Sequence, residues 1–190
     1  MEALLINQHS PNFEARLVSR FRQGDSEALS TLFDMYVDQV YGYARHILGN
    51  KEDAEEITSE AFVKAFRHAA DFRGDAPFKS WLFGITRNLC RDRFRQTRFV
   101  IVDVDDHSDL LIEDRRTLLD TVYSDVRYSL RDLPEEYQDI LILCDVEQWD
   151  ASEAAEIIGK SLSATKSLLY RARRALREKL TQTWENELHV

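Results

Sequence analysis

Residues 72–95, FRGDAPFKSWLFGITRNLCRDRFR, decide how the rest of the chain is read. The opening Phe72-Arg73-Gly74-Asp75-Ala76-Pro77 sets a glycine and a proline among charges and predicts a loop, with Pro77 suited to the first turn of a following helix. From Phe78 the apolar residues Trp81, Leu82, Ile85, Leu89 and Phe94 recur at helical spacing and are expected to face inward. Cations fill the gaps: Lys79, Arg87, Arg91, Arg93, Arg95 and Arg98. Aromatic and basic residues interleaved on one helix suit single-stranded or opened DNA, where rings or polar pockets hold unstacked bases and cations track the backbone. A core helix with a solvated basic face has the same pattern, and Trp81 has the bulk of a core residue.

Toward the N-terminus the helical period continues. Asp25 is a plausible N-cap for a run in which Ala28, Leu29, Leu32, Phe33, Tyr36, Val37, Val40, Tyr41, Ala44, Ile47 and Leu48 share one stripe, and Gly49-Asn50 supplies the stop. A second stripe, Ala54, Ile57, Ala61, Phe62, Ala65, Phe66 and Ala69, ends near Asp71. With a shorter helix around residues 12–22, these segments predict one compact helical module.

Toward the C-terminus the pattern breaks. Residues 99–116, FVIVDVDDHSDLLIEDRR, have a β-branched start and a dense acidic tract without an amphipathic period, and read as a flexible linker. A second helical set begins near Thr117, with Leu118, Leu119, Val122, Val126 and Leu130 on one stripe, pauses at Leu133-Pro134 and resumes over 135–145. Ala151–Ile158, the breaker Gly159-Lys160-Ser161 and a basic helix from about Ser163 to Thr183 then predict helix, tight turn, helix. In that last helix Leu162, Leu169, Ala172, Leu176 and Leu180 can face inward, leaving Lys166, Arg171, Arg173, Arg174, Arg177 and Lys179 for phosphates and base edges. An ordinary amphipathic helix with a solvated basic face has this composition too.

The expected fold is therefore all-α: two small helical domains, residues 10–98 and 117–183, joined by an acidic linker over 99–116. Six Gly and three Pro in 190 residues leave few turns, which favours long helices over strands. The net charge of −9 hides two basic islands, +6 over residues 64–98 and +6 over 160–180, against −13 over 99–159. Such polarity suggests two DNA-facing surfaces on a chain whose other faces avoid DNA or meet a basic protein. Cys90 and Cys144 belong to no metal-spaced cluster, so no metal or cofactor is expected. The absence of a leader-like start and of a long apolar run predicts a reduced, cytoplasmic protein without membrane insertion.

These residues carry a resemblance. The blocks LGNKEDAEEITSEAFVKAF (48–66) and FRGDAPFKSWLFGITRNLCRDRFR (72–95), and a helix-turn-helix ending YRARRALREKL (170–180), resemble in order and spacing the extracytoplasmic-function (ECF) group of the sigma-70 family. The likeness covers roughly residues 12–183. It implies an RNA polymerase sigma factor that is not an enzyme: region 2 binds core polymerase and reads the minus-10 element, and region 4 reads the minus-35 element. It implies as partners the polymerase core, through its beta-prime clamp helices and beta flap, and promoter DNA. Members are often restrained by an anti-sigma protein.

Carried over residue by residue, the resemblance assigns Asp53 and Glu56, with Glu52 and Glu60 nearby, to an acidic helix face that grips the basic clamp helices. Asn88 matches the amide that recognises a flipped minus-10 base, and an amide offers both donors and acceptors to a base edge. Phe72, Arg73 and Gly74 would form one wall of that pocket, beside Trp81, while Lys79, Arg87 and Arg91 would hold phosphates. Lys166, Ser167, Tyr170, Arg171 and Arg174 fall on the helix that would enter the minus-35 major groove. The chain departs from the family at Ala164, Thr165 and Leu168, where members commonly carry Thr-Val before the Lys-Ser pair and a basic residue after it, and at Cys144, often Arg in relatives.

Two other classes compete. A conventional helix-turn-helix regulator explains residues 150–180 but not the 72–95 block. An enzyme with Cys90 or Cys144 as nucleophile finds no Cys/His signature among His9, His46, His68, His107 and His189.

Overall fold

The computed structural model describes residues 11–101, 126 and 128–188. The expected linker beyond Ile101 and the start of the second helical set at Thr117 lie outside the described residues. Two compact units divide the chain, Met1–Cys90 and Arg91–Val190. Among the described residues all regular structure is helical.

The first unit is built from α1 (Pro11–Arg22), α2 (Ser26–Leu48), α3 (Lys51–Arg67), a 3-10 turn (Ala69–Asp71) and the start of α4 (Phe78–Ile101). Local chemistry sets the junctions. Asp25 caps α2 as expected, its Oδ1 accepting from the backbone N–H of Glu27 at 2.9 Å and of Ala28 at 3.2 Å. Arg20 Nε donates to Asp25 Oδ2 at 2.7 Å, which ties the end of α1 to the start of α2. Asn50 caps α3, a role beyond the stop signal read from Gly49-Asn50.

Aromatic residues fill the core where α1, α2 and α4 converge. Phe21 is fully buried and meets Phe78 edge-on at 5.2 Å, while Phe72 packs on Trp81 at 4.8 Å and Tyr36 on Phe78 at 5.9 Å. Truncating a buried ring of this kind costs about 3–5 kcal/mol, so the cluster fixes the start of α4 firmly. The inward stripe of α2 needs one correction: Phe33 is 38% exposed, its ring leaning on Phe62 at 4.6 Å. On α3, Phe66 was also expected inward but is 39% exposed, beside Val63 at 48%. Both phenylalanines lie at the edge of a stripe that is wider in sequence than the face the neighbouring helices cover.

In the second unit a helical turn over residues 128–131 leads to α5 (Glu135–Leu141), a π-helical turn (Ile142–Val146), α6 (Ala151–Ile158) and α7 (Leu162–Leu188). The single helix expected over 135–145 is thus two pieces. Gln148 closes the π turn in a left-handed conformation at φ 58. A reciprocal capping box starts α6, Asp150 Oδ1 accepting from Glu153 N at 2.9 Å and Glu153 Oε2 from Asp150 N at 3.0 Å. Gly159 ends it at φ +68, a left-handed value that glycine adopts without a Cβ penalty, and the tight turn follows. Leu168, Leu169 and Ala172 bury α7 against the unit, but Leu162, expected inward, is 43% exposed at the first turn.

Candidate nucleic-acid and polymerase interfaces

On α3, Glu52, Glu56 and Glu60 are exposed and four residues apart, so they form a stripe along one face. Asp53 is half-buried, because it serves the helix start: its N–H donates to Asn50 Oδ1 at 2.7 Å and its Oδ2 accepts from Asn50 Nδ2 at 2.6 Å. The exposed Val63 and Phe66 extend the same helix with apolar surface, which a periodicity reading assigned to the core or passed over.

On α4 the helical period sorts the predicted minus-10 residues to different faces. Asn88 is exposed although Arg87, Leu89 and Cys90 around it are buried. Trp81 lies seven residues before it, on the same face and half-buried. Gly84 falls between them, and a Cβ built there meets nothing within 4 Å, so the helix surface is open at that point. Arg87 shares the inward face with Phe83 and is only 8% exposed, which sets it apart from the solvent-facing cations. Lys79 is half-buried and Arg73 exposed, while Phe72 is buried in the aromatic cluster. Gly74 has φ +82, so the loop bends there in a way that favours glycine. Arg91, at the start of the second unit, lies 3.0 Å from Glu135 Oε2, which also takes Arg95 at 3.4 Å.

The helix-turn-helix presents the third surface. Lys166, Ser167, Tyr170, Arg171 and Arg174 are all exposed on α7, Tyr170 most of all at 70%. Three cations of that helix, Arg174 among them, are held by acids. Arg173 pairs with Asp145, Lys179 with Asp132 at 3.2 Å and Arg174 with Glu178 at 2.8 Å. Lys160, in the turn, pairs with Glu136 at 3.3 Å. Among the described residues Lys166, Arg171 and Arg177 have no such ion pair, so the cations that the sequence offers to DNA outnumber the exposed ones without an acidic partner. Leu168 is 3% exposed and belongs to the core; its place beside the Lys-Ser pair is structural in this chain. Thr165 is fully buried, and its Oγ1 finds no hydrogen-bond partner among the described residues.

A thiol enzyme is poorly served here. Cys90 is fully buried, and burial, then the Asp145 carboxylate, pushes the Cys144 thiol above its ordinary value, which lowers its thiolate fraction. Among the described residues no helix is long and apolar enough to cross a membrane.

Comparison with known proteins places the chain in a family. The family model for sigma-70 region 2 matches residues 32–100, and that for sigma-70 region 4 matches residues 124–176. The chain is 30% identical over 166 residues to the ECF RNA polymerase sigma factor SigM of Mycobacterium tuberculosis (strain Erdman), covering 85% of this chain and 82% of that one. It is 32% identical over 166 residues to the ECF RNA polymerase sigma factor BldN of Streptomyces coelicolor, covering 84% of this chain but 63% of BldN. The solved structure of CnrH in complex with the cytosolic domain of CnrY shares the fold, with a TM-score of 0.68 at 23% identity over 87% of this chain and 96% of that one. The chain belongs to the ECF sigma factors of the sigma-70 family. Members of that family are initiation factors and not enzymes.

Proposed function

We propose that this chain joins core RNA polymerase and directs it to promoters, reading the minus-10 element through the Trp81–Asn88 face of α4 and the minus-35 element through α7. The observation that carries the reading is Asn88: a polar amide left exposed on an otherwise inward stretch of α4, at the family's base-recognition position. An exposed amide between buried neighbours gains nothing for the core, and it has the donors and acceptors to hold a base taken out of the stack.

The acidic stripe Glu52, Glu56 and Glu60, with Asp53 at its head and Val63 and Phe66 beyond it, serves as the docking face for the basic beta-prime clamp helices. Charges set the approach and the apolar pair adds burial once contact is made. Region 4 meets the beta flap and presents Lys166, Ser167, Tyr170, Arg171 and Arg174 to the major groove. The domain boundaries follow the sequence reading, 10–98 and 117–183 with a linker between, except that helix α4 carries the first domain on to Ile101. The protein works in the cytoplasm with the polymerase, which supplies all the catalysis. An anti-sigma protein is the restraint that membership of this family suggests.

Binding of the purified chain to promoter duplex, measured with and without core enzyme, tests this reading. Tight promoter-specific binding only with core is expected. Equally tight binding by the chain alone would instead mark a conventional helix-turn-helix regulator.

A further inference from the structure

Arg173 lies on the helix assigned to the minus-35 duplex, yet its guanidinium is already engaged. Its Nε donates to Asp145 Oδ2 at 3.1 Å and its Nη2 to Asp145 Oδ1, a two-point grip of fork on carboxylate. The acid is itself held in place. Asp145 sits in the π-helical turn Ile142–Val146, and its carbonyl accepts from Gln148 Nε2 at 2.8 Å. Gln148 adopts φ 58, a conformation rare outside glycine that persists only where neighbouring bonds enforce it. Those bonds are present: Glu147 N donates to Ile142 O and Trp149 N to Leu143 O, each at 2.9 Å, with Trp149 buried.

The Arg173 side chain is 55% exposed and that of Asp145 36%, so solvent screening limits what even this two-point pair adds to stability. Arg173 follows Tyr170 by three residues and Lys166 by seven, so it borders the face they share, and a loose guanidinium there would reach a phosphate whatever the base sequence. We propose, resting on the minus-35 assignment of α7, that Asp145 is a positioning residue: it withholds Arg173 from the DNA backbone and fixes the rotation of α7, so that Lys166, Ser167, Tyr170 and Arg171 meet the groove. The pair thereby trades one sequence-independent contact for selectivity.

The test uses the full chain assembled with core polymerase on two duplexes: a promoter selected from a randomised pool, and the same promoter with its minus-35 segment scrambled. Affinity is followed across a salt series, where each phosphate contact contributes about 0.9 to the slope of log affinity against log salt. Arg173→Gln leaves the slope unchanged. Asp145→Asn frees Arg173, steepens the slope by about 0.9, and lowers the preference for the intact minus-35 segment several-fold; Asp145→Glu restores both. Arg171→Gln, the control for the helix assignment, flattens the slope by about 0.9. If Arg173→Gln flattens the slope as Arg171→Gln does, Arg173 is an ordinary phosphate contact and the positioning role is overturned. If Arg171→Gln also leaves the slope unmoved, α7 does not lie on DNA, and the minus-35 assignment falls together with it.

Discussion

Asn50 and Asp53 bond each other twice across the first turn of α3, the Asp53 N–H to Asn50 Oδ1 at 2.7 Å and the Asn50 amide to Asp53 Oδ2 at 2.6 Å. The relationship gives Asp53 a structural duty in addition to any role in docking. The two can be separated by choice of variant.

Glu56→Lys combined with Glu60→Lys reverses two exposed charges of the stripe without touching the cap, and should abolish co-purification with core polymerase while moving Tm little. Asn50→Ala should do the opposite, costing about 1 kcal/mol as lost N-caps do while leaving polymerase binding in place. Pull-down and thermal denaturation of the three proteins side by side check the split. Retention of core binding by the double Lys variant would remove α3 as the docking face.

Asn88→Ala should leave the fold intact, because the side chain is exposed. Initiation should fall most at promoters carrying the preferred flipped base. Initiation rates on a set of minus-10 variants measure this, and an equal loss on every sequence would show that the amide reads no base.

Thr165→Val is expected to be neutral or stabilising by up to about 1 kcal/mol, since a buried hydroxyl without a partner carries a desolvation penalty that an isosteric methyl removes. Denaturant unfolding reads the change directly. A loss of more than about 1 kcal/mol would mean that the hydroxyl has a bonded partner in solution, because that is the usual net worth of a hydrogen bond.

The caps and the tight turn were legible in the sequence because they are local: Asp25, Gly159 and the Ala151–Ile158 helix each follow from a residue type at one position. Other features depend on neighbours distant in sequence. The π turn at Ile142–Val146 is hidden in an unbroken apolar run, and helix α4 reaches Ile101 through β-branched residues that read as a break. Arg87 shows the same limit within the candidate site. A helical wheel marks it as a cation among cations, but its placement beside Phe83 on the inward face is set by packing.

Acid should weaken the α1–α2 junction. The Arg20 side chain, then the N–H groups of Ala28 and Glu27, hold the Asp25 carboxyl below its ordinary value. A carboxyl whose folded-state pKa is depressed adds stability above its unfolded pKa and loses it as pH falls through the folded value. Asp25→Asn keeps an N-cap acceptor but cannot titrate, so the drop in Tm on acidification should be smaller in the variant than in the parent. Identical acid profiles would show that this carboxylate does not contribute.

A sigma factor's defining act is to direct a polymerase to start sites. Transcription in vitro with bacterial core enzyme on a randomised promoter pool, with no inhibitor present, tests it most directly. Defined starts enriched for one minus-10 and one minus-35 sequence are expected, with the minus-10 preference relaxed by Asn88→Ala; transcripts no different from those of core enzyme alone would show that the chain directs no initiation.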